Sequence, residues 1–305
     1  MKKITAPMLF LILIFAALPI TAAGELVRIV RLKLSAGDLA SSAAAVEEYK
    51  KKSGVDAEYL DALGWLARGA EMLGQLDAAA EYVAELRREI REEKADLLAP
   101  LGAAIEVEGK LRAVRQGRGS AISFLELEFS RAKDIGLRSR IRKNINALTI
   151  EGQPPREFSN AHFVGSAPAR LADLKGKPVL LFLWAHWCGD CKAQAPTLAR
   201  IAQKYRGQGL VVMAPTRFYG TGEQNKPATP DEEKVHMAKV WAEFYPGLEG
   251  VSIPVDTEAM VHYGVSATPT FVLIDRKGLV RFYSPTRLSE AELSRRIEAV
   301  LAEAP

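Results

Sequence analysis

The chain has 305 residues, of which 48% are apolar and 26% charged. That is ordinary globular composition, and it excludes a collagen-like, disordered or disulfide-dense chain. Formal charge is +4, from 41 basic and 37 acidic residues spread evenly along the chain. The whole-chain field therefore gives no reason to expect a nucleic-acid partner. The length suits about two domains, each large enough to bury a core.

At the N-terminus, Met1-Lys2-Lys3 precedes an apolar run from Met8 to Ile20, then the small residues Thr21-Ala22-Ala23. A basic start, a short apolar core and a small-residue exit read as a secretory signal peptide over residues 1–23. The alternative is an uncleaved anchor over residues 6–24, near the lower length limit for crossing a bilayer. Either reading puts the remaining chain outside the cytosol, in a bacterial periplasm or another extracytoplasmic space where disulfides persist.

Residues 24–151 have helical grammar. Apolar positions recur at three and four, as in Leu60, Leu63, Leu66, Ala67 and Ala70. Asp38, Asp56 and Asp77 read as N-caps, and Gly37 and Gly74 as helix ends. The turn Ala36-Gly37-Asp38-Leu39 is echoed at Leu73-Gly74-Gln75-Leu76, with a fainter copy at Gly117 to Leu125. This weakly resembles tetratricopeptide repeats, whose helix-turn-helix period is about 34 residues. A plain helical bundle is the alternative. The basic run from Arg131 to Lys143, opposed only by Asp134, reads as a solvated helix face rather than an anion site.

Gly152-Gln153-Pro154-Pro155 interrupts the helical pattern, and residues 152–157 read as an extended, stiff linker. From residue 158 to 305 the grammar is α/β. Val179 to Ala185 is a continuous apolar run, as in a strand buried on both faces. A helix is predicted over 190–205, a strand over 210–214 and a helix over 231–245. A hairpin (271–275 and 279–283) and a last amphipathic helix (289–301) follow. This order implies a mixed sheet with helices on both faces. Residues 218–233, rich in Gly, Pro, Thr and Asn, read as a mobile loop.

The two cysteines, Cys188 and Cys191, fall between the first buried strand and the next helix. Unpaired backbone N–H groups at a helix N-terminus stabilise a thiolate, the species that attacks disulfides. Cys188 is therefore the expected exposed nucleophile. Cys191, one turn later and more buried, is the expected resolving thiol. A purely structural disulfide would close too short a loop to remove much unfolded-state entropy. A zinc site lacks a second ligand pair, because His162, His186, His236 and His262 are scattered. His186 reads as an exposed loop histidine, with thiolate stabilisation as its functional alternative. Trp184 reads as core, and Trp187 as an apolar docking surface beside the dithiol.

Lys175-Gly176-Lys177-Pro178, the buried strand, Trp184-Ala185-His186-Trp187-Cys188-Gly189-Asp190-Cys191, Pro196 and Thr268-Pro269-Thr270-Phe271 together resemble a thioredoxin-fold domain. The closest flavour is the exported TlpA-like group of thiol-disulfide oxidoreductases. That group carries a helical insertion in mid-domain, which residues 218–250 would supply. The resemblance covers residues 156–303, about half the chain. It implies a cis-proline at Pro269, facing the dithiol, and a substrate-pairing backbone at Thr268. Trp187, Gly189 and Asp190 would complete the substrate site. Two departures stand out. Asp190 replaces the family's usual proline, adding negative charge beside the thiols. Phe182 occupies the place where many members bury a proton-accepting carboxylate.

The expectation is an exported protein-disulfide oxidoreductase working by dithiol exchange, with no metal or organic cofactor. Its partners would be protein thiols and disulfides, and a redox protein that recharges the dithiol. The helical half would dock a peptide or protein. The alternatives are a redox-sensing peptide scaffold without turnover, and a Cu(I)-binding protein.

Overall fold

A computed structural model describes residues 24–165, 167 and 169–303; the signal-peptide expectation, on residues 1–23, lies outside the described residues. The first half consists of helices α1 (Glu25–Ser35), α2 (Leu39–Ser53), α3 (Ala57–Met72), α4 (Leu76–Glu89), α5 (Leu98–Gln116), α6 (Arg118–Arg131) and α7 (Ile135–Thr149). Gly37, Gly74 and Gly117 occupy the turns within α1/α2, α3/α4 and α5/α6, with φ of 76°, 74° and 92°. Only glycine adopts that left-handed region without strain, which is why the echo in the sequence falls on glycine.

Two of the three expected caps form. Asp38 accepts the Ser41 N–H at 2.9 Å, and Asp56 accepts the Tyr59 N–H at 2.8 Å. Asp77 does not cap. Helix α4 begins one residue earlier, and Asp77 pairs with Arg115 at 2.6 Å instead. Helices α3 and α5 are the hubs: α3 packs on α1, α2, α4 and α5, while α5 packs on α3, α4, α6 and α7. The buried face of α3 carries Tyr59, Leu63, Leu66 and Ala67, and each large apolar side chain so buried contributes ~1.5–3 kcal/mol. The Tyr59 hydroxyl and Lys50 both donate to Glu85, at 2.7 and 2.6 Å, stitching α2, α3 and α4 together.

Arg131 and Lys133, which precede α7, are exposed, but the part of the basic run on α7 is not a solvated face. Arg142 pairs with Glu126 at 3.1 Å and Lys143 with Glu106 at 3.5 Å. Arg138 lies over the Phe129 ring at 4.4 Å, and Arg140 donates to the Ala99 carbonyl at 3.0 Å. These cations hold the helical half together, so their count along the sequence overstates the charge available to a partner.

The second half contains β1 (Phe163–Val164), β2 (Val179–Leu183), α8 (Gly189–Arg206), β3 (Val211–Met213), α9 (Pro230–Phe244), β4 (Ile253–Pro254), α10 (Thr257–His262), β5 (Thr270–Ile274), β6 (Val280–Ser284) and α11 (Glu290–Ala302). The main sheet has the order β3-β2-β5-β6, with β2 parallel to β3 and antiparallel to β5. Strands β1 and β4 form a small antiparallel pair, and the β4 segment continues alongside β3 through Ala214 and Thr216. The continuous apolar run in β2 is explained by its central place: Val179 to Leu183 is buried on both faces. The chain is thus a helical half joined to an α/β half built on a mixed sheet. Among the described residues, no helix is long and apolar enough to cross a membrane.

The halves are docked against each other. After α7 the Gly152 N–H donates to Val280 O at 2.7 Å, and the Val280 N–H donates to Gln153 O at 2.9 Å. The start of the linker therefore pairs with the free edge of β6. Helix α7 packs on α10, and Asn146 Nδ2 donates to His262 O at 2.9 Å. Gly264, with φ of 65°, lies so close to α7 that a Cβ there would run into the backbone of Lys143. These contacts fix where α7 and the turn before α5 sit relative to the sheet.

Candidate active site

Strand β2 ends at Leu183, and the chain turns through Trp184 to Cys188 before α8 begins. Trp184 is fully buried, as expected for core, and its indole N–H donates to Ala214 O at 2.9 Å. Cys188 is the N-cap of α8. The Cys191 N–H, one of the otherwise unpaired amides of the first turn, donates to Cys188 Sγ at 3.0 Å. Local chain direction thus aims a backbone donor at this sulfur, an arrangement that stabilises a thiolate. Cys188 and Cys191 form a disulfide with Cα atoms 5.2 Å apart.

Cys188 is less exposed than expected, at 4% against 0% for Cys191. The reason is the loop opposite. Thr268 O lies 3.4 Å from Cys188 Sγ, and the Thr268–Pro269 peptide bond is cis. Trp187 remains half exposed, edge-on to Tyr219 at 5.3 Å. Asp190 is exposed and faces Arg287 at 3.4 Å, which offsets the charge it adds beside the thiols. Cys188 and the residues Trp187, Gly189, Asp190 and Thr268 line one cleft. Cys191 and Pro269 are not among its lining residues. Phe182 is buried between Phe271 and Tyr245, at ring distances of 5.4 and 6.0 Å, so that position carries no proton acceptor.

His186 departs from the sequence expectation. It is 1% exposed, and its Nε2 lies 3.1 Å from Oε1 of the fully buried Glu233. Glu233 also accepts the N–H groups of Tyr219 at 2.7 Å and Gly220 at 2.9 Å. The segment expected to be a mobile loop is therefore tied to α9 through one carboxylate. Further backbone bonds run from Gly222 to Lys226 and from Ala228 to Gly220. Glu233 was not singled out from the sequence. Asp231-Glu232-Glu233 reads as the usual acidic first turn of a helix, and nothing local marks the one that turns inward.

Burial holds the His186 imidazole below its ordinary pKa, against the opposing pull of Glu233. Burial, together with Arg142 and Arg156, does the same to half-buried His262. Both histidines therefore favour the neutral form in the fold, and unfolding takes up protons below the free value of ~6.5. Their stabilising contribution is complete above about pH 6.5 and is lost as pH falls. Urea unfolding should show a decline of up to about 1.4 kcal/mol per pH unit for each such histidine, with onset before the carboxylate range. A flat profile between about pH 7 and 5 would show that neither ring titrates differently in the fold.

Among the described residues, no group of three or more His, Cys, Asp or Glu side chains is placed to hold a metal ion. What the arrangement can do is thiol chemistry. One sulfur sits at a helix head with a backbone donor on it, a second lies one turn behind, and an open backbone carbonyl faces them. A mixed sheet with this dithiol before its first long helix defines the thioredoxin-fold class of thiol-disulfide oxidoreductases.

Comparison with known proteins agrees. Residues 152–297 match the Redoxin family model. Similar proteins include the thiol-disulfide oxidoreductase ResA of Geobacillus thermodenitrificans, 24% identical over 135 residues, which are 43% of this chain and 67% of that protein. The thiol:disulfide interchange protein DsbE of Xylella fastidiosa is 31% identical over 131 residues, 43% of this chain and 58% of that protein. A crystal structure of a putative thiol:disulfide interchange protein DsbE from Chlorobium tepidum is 26% identical, covering 50% of this chain and 98% of that one, with a TM-score of 0.40. All three matches take in half of this chain or less.

Proposed function

We propose that the protein is an exported thiol-disulfide oxidoreductase that exchanges its Cys188–Cys191 pair with disulfides of other proteins. The observation that carries this reading is the Cys191 N–H held 3.0 Å from Cys188 Sγ at the start of α8. In the reducing direction the Cys188 thiolate attacks one sulfur of a substrate disulfide, and the other leaves as a thiolate. Cys191, deprotonated, then attacks Cys188 Sγ. The substrate departs as its second thiolate and the Cys188–Cys191 disulfide closes. Two electrons and two solvent protons have passed to the substrate. A partner dithiol must return the electrons; run backwards, the same steps oxidise a dithiol. Trp187, Gly189, Asp190, Thr268 and Pro269 are proposed to receive the substrate chain. Thr268 would offer its backbone as a strand edge. Export is supported by the signal-peptide pattern at residues 1–23. The glycine turns within three helix pairs favour a tetratricopeptide-like scaffold.

The test is to replace the resolving thiol. Cys191→Ala should leave Cys188 joined to its substrate as a stable mixed disulfide, separable on non-reducing gels and released by dithiothreitol. The variant should release less than about 1% of product per cycle relative to wild type, since effective molarity at the second step is lost. If Cys191→Ala turns over like the wild type, or if Cys188→Ser does, the dithiol mechanism is wrong.

A further inference from the structure

The cleft over Cys188 has a volume of about 650 Å³, and only one of its walls belongs to the α/β half. The other is supplied by the turn before α5, the start of α5 and the start of α7, through Leu98, Ala99, Leu137 and Arg140. That wall is held in place by α7 on α10, by Asn146 on His262 O, and by the close approach at Gly264. A volume within the ~300–1,000 Å³ of ligand sites accommodates a short stretch of chain, not merely a sulfur.

The charges in the cleft are unequal in what they have left to bind. Asp134 is spent as the N-cap of α7, accepting the Leu137 N–H at 2.8 Å. Asp190 faces Arg287 at 3.4 Å. Arg140 donates to the Ala99 carbonyl. Arg217 has no carboxylate within 4.0 Å among the described residues, and its buried Nε has no acceptor. Its guanidinium lies over Tyr219 at 4.7 Å, and Arg217 lines the same cleft as Cys188. Arg217 lines the cleft without a carboxylate partner, so an incoming carboxylate can pair with its guanidinium in a charge-assisted hydrogen bond.

We propose that the helical half is the second wall of the substrate site, and that the cleft takes an extended polypeptide segment with an acidic residue beside its reactive cysteine. The segment runs between Thr268 and the Leu98–Ala99–Leu137 surface, and its carboxylate meets Arg217. This inference rests on the dithiol chemistry proposed above and adds the class of substrate. Its reaction is the same exchange: Cys188 attacks the peptide sulfur, the former partner sulfur leaves, and Cys191 then frees the peptide thiol.

The test uses pre-reduced full chain in single turnover. The probes are two nonapeptides with a central cysteine as its 2-thiopyridyl disulfide, one flanked by Glu and one by Gln. The small neutral reference is 2,2′-dithiodipyridine. Pyridine-2-thione release reports each rate. In the wild type the Glu peptide should react about tenfold faster than the Gln peptide, and Arg217→Gln should erase that ratio; tenfold corresponds to 1.4 kcal/mol. Ala99→Trp should lower the ratio of peptide to reference rates by about tenfold or more, through misplacement of the bound segment. Ala99 is exposed, so the substitution enlarges a surface. Ala95→Trp, also exposed and also lining the cleft, is the second variant and should act in the same direction. An unchanged or raised peptide-to-reference ratio in both tryptophan variants would overturn the two-walled site. Equal wild-type rates on the Glu and Gln peptides would overturn the acidic preference. Failure of the reduced wild type to attack the reference faster than free cysteine would instead strike the dithiol reading itself.

Discussion

Replacing Glu233 with alanine should cost about 1–3 kcal/mol of stability, the penalty for leaving a buried donor without its acceptor. Glu233 is fully buried and serves three donors at once: His186 Nε2 and the amides of Tyr219 and Gly220. Its loss leaves the buried His186 ring without its partner, whereas the amides of half-buried Tyr219 and exposed Gly220 can turn to water. The damage extends to the site. Tyr219 supports Trp187 edge-on, and His186 lies two residues before Cys188. Glu233→Gln keeps an acceptor oxygen and should recover part of the loss. Urea unfolding of the three proteins at neutral pH is the measurement. A difference below about 1 kcal/mol between wild type and Glu233→Ala would mean that solvent also reaches the His186 ring.

The second large effect is expected at Gly264. A β-branched residue there meets two obstacles. The left-handed backbone costs a side-chain-bearing residue ~1–2 kcal/mol, and overpacking adds ~1–3 kcal/mol. The obstacle is the main chain of Lys143, which no rotamer change can move aside. Gly264→Val should therefore loosen α7 from α10. Amide hydrogen exchange should rise along α7 and α10 while α3 and the centre of the main sheet stay protected. Gly207→Ala is the control: its φ is −64° and open space surrounds it. Its effect should stay within about 0.5 kcal/mol. Unchanged exchange along α7 in Gly264→Val would show that this approach does not hold the halves together.

The two halves, the mixed sheet and the placing of the cysteine pair before α8 were legible because their signals are local. Periodicity marks the helices, an unbroken apolar run marks β2, and glycine marks the turns that need positive φ. The short strands β1 and β4 and the six-residue α10 were not anticipated, since each is too brief to establish a period. The His186–Glu233 pair spans 47 residues and the Asn146–His262 bond spans 116. No property of either partner's neighbourhood announces such a contact. The same holds for the reduced exposure of Cys188, which follows from a loop 80 residues away. Local reading thus placed Cys188 at the head of α8 but not its enclosure, which arises when distant segments meet.

The short stretch between the halves has a role beyond connection. Strand β6 ends the main sheet, and an open strand edge invites other strands to add to it. Gly152 and Gln153 take up the amide and carbonyl of Val280 on that rim. A fragment begun at residue 158 would lose this guard and bare a template for self-association, so dissecting the chain at its apparent seam removes part of what keeps the sheet solitary.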